Sequence, residues 1–328
     1  MQSISESLNV YVPSRSTRCF LTYAAIQSLP LRVAAPLPVI SQYYSQARIV
    51  MYEDQLAVAQ SGADKAGEIA KRFIAGQIEI RTKPSDSDSV VPYNLVTDAD
   101  VQCEQAIIAE IHRVFPDHAI LAEESTDRLT TATVPEHLWI IDPIDGTNNF
   151  AHYLPHFGIS IAYYHRGVPA AAVVYNPVRE DLFTATQRGG AFYNGRPIQV
   201  DRSETLDKVL IGVGFYYDRG QMMHATLAAI GELFSHHIHG IRRFGAASLD
   251  LCAVAIGWYG AYFEYQLSPW DFAAGRLIVE EAGGHVTNVH GGPLPFEKTS
   301  ILASNRRLHG VVQAIVSKHA ESFENVSR

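Results

Sequence analysis

The chain has 328 residues, 47% apolar and 18% charged, with a formal net charge of −8. That length supplies one large domain or two medium ones around a proper core, and the composition excludes a disordered chain. The negative charge argues against a general attraction to nucleic acid or to an anionic membrane.

The longest uncharged apolar stretch, Leu251 to Phe263, falls short of the about 20 residues needed to span a bilayer, so no membrane span is expected. Cys19, Cys103 and Cys252 stand far apart, which reads as reduced thiols in a cytoplasmic setting rather than a disulfide framework. From Met1 to Val50 a single acid, Glu6, faces Arg15, Arg18, Arg32 and Arg48 among serines and prolines. This has some transit-peptide character; the plainer readings are a poorly ordered N-terminal extension over 1–50, or a true start at Met51.

Met51 to Gln77 places Leu56, Ala59, Ala63, Ala66, Ala70, Phe73 and Ile74 at helical steps, an amphipathic helix with a small-residue stripe. Thr82 to Pro92, including Lys83, reads as a polar loop bounded by proline. A second helix follows Thr97, with Val101, Ile107, Ile108, Ile111 and Phe115 expected inward. Strands are predicted at His118–Ala122, Leu138–Ile141, Phe157–His165, Pro169–Tyr175 and Leu182–Thr186, and Asn194-Gly195 signals a two-residue hairpin. Beyond it, strands at Val209–Phe215 and Ala261–Tyr265 alternate with helices near Met222–Phe234, Ala246–Ile256 and Ser268–Ala282, the last ended by Gly283-Gly284. The fold class is therefore mixed α/β: helices then an antiparallel meander over 51–200, and an alternating unit over 201–328.

The segment WIIDPIDGTNNF, from Trp139 to Phe150, is the richest in chemistry. Pro143 is expected to stop the strand, leaving Asp142 and Asp145 in the turn beyond its C-terminal end, where ligands collect in α/β sheets. Gly146 permits a close turn, and the amides after it would face an anion. An acidic turn after a core strand explains the same residues without any site. Three more acids stand at comparable places: Asp100 in NLVTDAD, Glu123 in LAEES and Asp271 in SPWDFAAG. Asp100 and Asp271 also fit capping boxes begun by Thr97 and Ser268. Hard divalent cations want oxygen ligands. Phosphoryl transfer to water needs charge neutralised on several oxygens, which two ions about 3.5–4 Å apart supply.

Other phosphatase chemistries leave no trace. No phosphate-binding run follows any cysteine, and no Walker A or GxSxG sequence occurs. Asp98-Ala99-Asp100 fails as an aspartyl-nucleophile motif at Gln102. His236, His237 and His239 read as a helix end and a strand start, Arg242-Arg243 as a surface pair or an anion contact, and Trp258, Tyr259, Tyr262 and Phe263 as core or interface aromatics.

Taken in order, NLVTDAD, AEES, DPIDGTNNF, YNPVREDLFTAT, GAFYNGRPI and SPWDFAAG…EEAGG resemble the inositol monophosphatase family from about Met51 to the C-terminus. The resemblance implies a layered α-β-α-β-α sandwich of the kind shared with fructose-1,6-bisphosphatase, two or three Mg²⁺ ions with Mn²⁺ as a substitute, lithium sensitivity and a homodimer. It implies metal ligation by Glu123, Asp142, the Ile144 carbonyl, Asp145 and Asp271, and water activation by Thr147 and Asp100, with a third, more weakly held ion leaning on Glu123 and water. Asp145, Gly146, Thr147, Ala247 and Glu264 would meet a small phosphorylated polyol or sugar. Glu264 and the NNF after DGT favour myo-inositol monophosphate over fructose-1,6-bisphosphate, histidinol phosphate or 3′-phosphoadenosine 5′-phosphate. A regulatory RNA- or protein-binding dimer on the same fold is the non-enzymatic alternative.

Overall fold

The computed structural model describes residues 51–76, 80–82, 95–125 and 134–324. The extension expected over 1–50 lies outside them, as does Lys83 with the rest of the loop to residue 94. Helices α1 (Glu53–Ala75) and α2 (Asp98–Val114) flank an antiparallel pair, β1 (Ile80–Thr82) and β2 (Leu95–Thr97). Ala59, Ala63, Ala66 and Ala70 are fully buried, and this stripe lets α2 approach with Ile107 and Ile111 inward. Val101 departs from expectation and is exposed. The inward positions of the first turn belong to Ala99, Asp100, Cys103 and Glu104, and Val101 falls outside that arc.

The large sheet comprises β3 (Ala119–Ala122), β4 (His137–Asp145), β5 (Gly158–His165), β6 (Val168–Asn176), β7 (Asp181–Thr186), β8 (Gly190–Tyr193) and β9 (Arg196–Pro197), side by side in that order. Only the β3–β4 pair is parallel; the rest form the expected meander. Asn194 (φ 47°) and Gly195 (φ 75°) are both left-handed, as a type I′ hairpin requires.

Pro143 does not stop β4. The strand runs on to Asp145, and pairing with β5 skips from Asp142–Ser160 to Asp145–Gly158 across an irregularity. A bulge accommodates a residue that has no N–H to give. Asp142 and Asp145 therefore sit on a buried strand rather than in a loop beyond it.

A short helix, α3 (Thr147–Ala151), follows β4 directly. The rest of the chain contains β10 (Leu210–Val213), α4 (Gln221–Ser235), β11 (Gly240–Arg242), α5 (Ala247–Ala255), β12 (Ala261–Leu267), α6 (Pro269–Glu281), β13 (His285–Thr287), β14 (Thr299–Ser304) and α7 (His309–Glu324). The second sheet has the order β11-β10-β12-β14-β13, with β10 parallel to both neighbours and β14 antiparallel to both of its own.

Three apolar clusters define the layers. One joins α1 and α2 to Trp139, Ile141, Ile161 and Val173 on one face of the large sheet. The next joins its other face, through Leu138, Ile140, Ala162 and Val174, to α5, α6 and the inner face of the small sheet. The third packs α4 and α7 on that sheet's outer face through Ile211, Phe263 and Leu302. The order is thus α-β-α-β-α. No helix among the described residues is long and apolar enough to cross a membrane. Trp258 is half exposed, whereas Tyr259, Tyr262 and Phe263 are core.

The central helical layer is packed without slack. A Cβ built at Gly275 of α6 would lie 2.6 Å from the Leu251 Cβ of α5. Gly275→Ala is expected to destabilise the fold by about 1–3 kcal/mol, outweighing the gain of about 1 kcal/mol in helix propensity; a denaturant midpoint measures the net sign.

Candidate active site

The parallel β3–β4 pair delivers Glu123 beside Asp142, since the Glu123 amide donates to the Ile141 carbonyl (3.2 Å). Buried Glu104 of α2 holds the loop that follows, accepting from the Glu124 amide (2.7 Å) and the Ser125 hydroxyl (2.5 Å). At the end of β4, Asp142 is 1% and Asp145 6% exposed. Ligand oxygens of Asp142, Asp145 and Asp271 all lie within 4.8 Å of one another. Three acids separated by as many as 129 positions thus converge on one point.

Each acid is held from behind. The Ile144 amide donates to Asp142 Oδ1 (3.0 Å). Asp145 accepts from the amides of Ala247 (3.1 Å) and Ser248 (2.7 Å) and from the Ser248 hydroxyl (2.5 Å), which ties β4 to the start of α5. The Ser268 amide donates to Asp271 Oδ2 (2.6 Å) within a capping box that opens α6. Asp100 is wholly buried and also closes a capping box, its Oδ2 accepting from the Thr97 amide (2.8 Å) and hydroxyl (2.6 Å). Its Oδ1 faces the Thr147 hydroxyl (3.2 Å), which has the Ile144 carbonyl (3.1 Å) as a second acceptor. Capping and site-forming are therefore not alternatives here: each aspartate does both. Gly146, at φ 95°, makes the turn between Asp145 and Thr147; a Cβ there would press on the Gly245 carbonyl at 3.1 Å.

Burial pushes the Asp142 carboxyl well above the usual carboxylate range, and the charges of Glu123, Asp145 and Asp271 push it further. Burial likewise raises Asp271, with Glu123 and Asp145 adding to it. Asp145 is pushed up to about 6 by burial, against the opposing pull of its bonds from Ser248 and Ala247. A cluster this negative fits a bound cation: the donors are all oxygen and mutually repelling, with Asp142 and Asp145 buried and Asp271 part-buried at the cleft.

The acids form one wall of a cleft of about 600 Å³ that also takes in Ile144, Gly146, Thr147, Ala247 and Glu264. Glu264 is buried, accepts from the Tyr262 hydroxyl (2.7 Å), and is raised by burial to about 7. All ten positions singled out in the sequence thus meet in one place, with Asp100 behind the cleft wall. Of the Arg242-Arg243 pair, Arg243 lines the cleft, in keeping with the anion-contact alternative. Others were missed: Tyr216, Trp270 and Lys298 also line it. Ser248 holds Asp145, and the only signal for it was its place in the first turn of α5. Asp250 lies on the cleft's inner side with both carboxyl oxygens buried and lacking a hydrogen bond by geometry, and burial raises it well above the ordinary value.

Layers, converging acids and a cleft sized for a small molecule define a phosphoric monoester hydrolase once the relatives are compared. A profile of the Inositol monophosphatase family matches residues 51–321. The chain is 45% identical over 231 residues to an inositol-1-monophosphatase of Synechocystis, covering 70% of this chain and 79% of that one. It is 37% identical over 273 residues to Nus factor SuhB of Pseudomonas aeruginosa, covering 81% and 97%. The solved inositol monophosphatase of Anabaena superposes with a TM-score of 0.70 at 36% identity, covering 81% of this chain and 96% of that one. The chain belongs to the inositol monophosphatase family and is an enzyme of its phosphatase class.

The buried acids carry a testable stability cost. A carboxyl whose folded pKa lies above its unfolded value binds its proton better in the native state, so its charge destabilises the fold once pH passes about 4. In chelator-treated protein, Asp142→Asn is expected to raise stability at pH 8. The gain should shrink towards zero near pH 4, where both carboxyl and amide are neutral. Denaturant unfolding of the two proteins across that range measures the difference, in which contributions common to both cancel.

Proposed function

We propose that the chain hydrolyses a small phosphorylated polyol or sugar, with myo-inositol monophosphate preferred, in the presence of Mg²⁺. The observation that carries this reading is the approach of the Asp142, Asp145 and Asp271 oxygens within 4.8 Å at the wall of a substrate-sized cleft. Glu123, Asp142, the Ile144 carbonyl, Asp145 and Asp271 would hold the ions, with Mn²⁺ as a substitute and lithium as an inhibitor. Bound there, the ions would supply Lewis-acid neutralisation of the phosphate oxygens.

The remaining work falls to the chain itself. The Thr147 hydroxyl orients a water and passes its proton towards Asp100, whose Oδ2 is already saturated by Thr97. Amides at Gly146 and Thr147 receive the phosphate. Glu264, balanced near neutrality, can accept from or donate to a ring hydroxyl, while Asp145 and the backbone at Ala247 meet another. Arg243 and Lys298 add positive charge to a cleft that would otherwise repel an anionic substrate. The protein is read as a cytoplasmic homodimer that does not require nucleic acid.

Phosphate release in Mg²⁺ is expected to favour myo-inositol monophosphate by more than tenfold in kcat/KM, about 1.4 kcal/mol, over fructose-1,6-bisphosphate, histidinol phosphate and 3′-phosphoadenosine 5′-phosphate. A smaller ratio leaves only a broad phosphatase. Asp100→Asn should lower kcat by about 10²–10⁴ with KM little changed. The relatives named Nus factor favour a second reading, a regulatory protein on the same fold. Asp142→Asn separates the two: a cellular role that survives it does not depend on hydrolysis.

A further inference from the structure

At the opposite end of β4 from the carboxylates, three imidazoles stack in a row. The His118 and His137 ring centres lie 4.4 Å apart and 9° from parallel, and those of His137 and His165 lie 5.1 Å apart and 1° from parallel. His137 and His165 are direct partners across the β4–β5 ladder. Glu136, one residue earlier, reaches His165 Nε2 at 3.7 Å through Oε1. One ligand atom from each of Glu136, His137 and His165 falls within a 4.8 Å group. The glutamate is exposed and the two histidines are part-buried, so the group is open to solvent.

The inner nitrogens of the two rings are already occupied. His137 Nδ1 meets the Tyr163 hydroxyl at 2.6 Å, and His165 Nδ1 meets the Tyr52 hydroxyl at 3.0 Å. In the tautomer where Nδ1–H donates to the phenol oxygen, Nε2 is a bare lone pair. Fixing one ring nitrogen by a hydrogen bond so that the other can ligate is the usual arrangement behind a metal-bound histidine. His118 differs. Its Nδ1 accepts from the Trp139 indole at 3.1 Å, so its proton is on Nε2 and it has no free lone pair to offer. Burial lowers its pKa and keeps it neutral beside the other two rings.

We propose that His137, His165 and Glu136 form a second metal site, distinct from the catalytic acids, for a zinc-like divalent cation. The donor set of two imidazoles and a carboxylate suits zinc and not magnesium. A tetrahedral ion with bonds of about 2.1 Å holds its ligand atoms about 3.4 Å apart, so binding requires the two rings to turn out of their parallel stack until both Nε2 lone pairs converge. Water completes the fourth position. Arg166 competes, because its guanidinium pairs with Glu136 Oε1 at 2.6 Å; the ion is left Oε2. The five residues from His137 to Asp142 separate the two sites by about 16 Å of extended strand. An ion here would clip β4 to β5 and, through Tyr52, to the start of α1.

The test is zinc titration of the untagged, chelator-stripped full chain by calorimetry, in excess Mg²⁺, against His137→Asn/His165→Asn. Asparagine retains a donor near the Nδ1 position and deletes Nε2. The double variant is expected to lose one zinc equivalent, or to bind it at least tenfold more weakly, while His236→Asn/His237→Asn leaves zinc binding unchanged. Phosphate release in Mg²⁺ should be the same in all three proteins. Equal zinc stoichiometry and affinity in wild type and double variant would overturn the site. Should the double variant fail to fold, zinc-soaked wild-type crystals decide: an anomalous peak within bonding distance of both Nε2 atoms supports the proposal, and its absence overturns it.

Discussion

Mutual repulsion among acids in a dry pocket governs how this molecule is built. Asp142, Asp145 and Asp271 are brought together although each, charged, opposes the others. Local donors at Ile144 and Ser268 orient single acids, but their convergence must be imposed by elements with stability to spare. The large sheet meets this need: β4 lies second in a seven-stranded sheet, with apolar clusters on both faces. Burial of Asp142 and Asp145 limits the screening of their charges, and a cation entering from the cleft is the natural source of relief.

The layered order also explains why the site lies where it does. β4 contributes two acids at its end, the start of α6 contributes a third, and the first turn of α5 supplies donors that keep Asp145 from turning away. Glu123 arrives by the one parallel pairing of the large sheet. Strand ends and helix starts meet because the middle helical layer is shared by both sheets. The cleft is therefore open between layers, with Glu264 reaching it from β12 of the smaller sheet.

Much of this was legible from residue order. The alanine stripe of α1, the run LWII and the Asn-Gly turn gave local signals strong enough to survive in the fold. Pro143 misled because a proline reads as a strand terminator, whereas a bulge stabilised by pairing on both sides can hold it. Val101 misled for another reason: its neighbour Asp100, polar by type, took the inward place. The strand β14 sits between β12 and β13 and went unassigned, since six residues carry little periodicity. The helix α7 was readable in principle from Val312, Ile315, Val316 and Ala320. Partners such as Ser248 and Glu104 were invisible because their importance arises only from distant atoms they touch.

The double duty of Asp100 and Asp271 has an evolutionary corollary. Each caps the start of a helix while serving the site, Asp271 lining the cleft and Asp100 standing behind its wall, so a descendant that abandoned chemistry would still be under pressure to keep both, simply to avoid fraying. Asp145, anchored by three donors to α5, is constrained in the same way. Asp142 accepts from the nearby Ile144 amide and is not tied to a helix start. Of the clustered acids, Asp142 is thus the one whose replacement leaves the helix starts and the β4–α5 tie untouched.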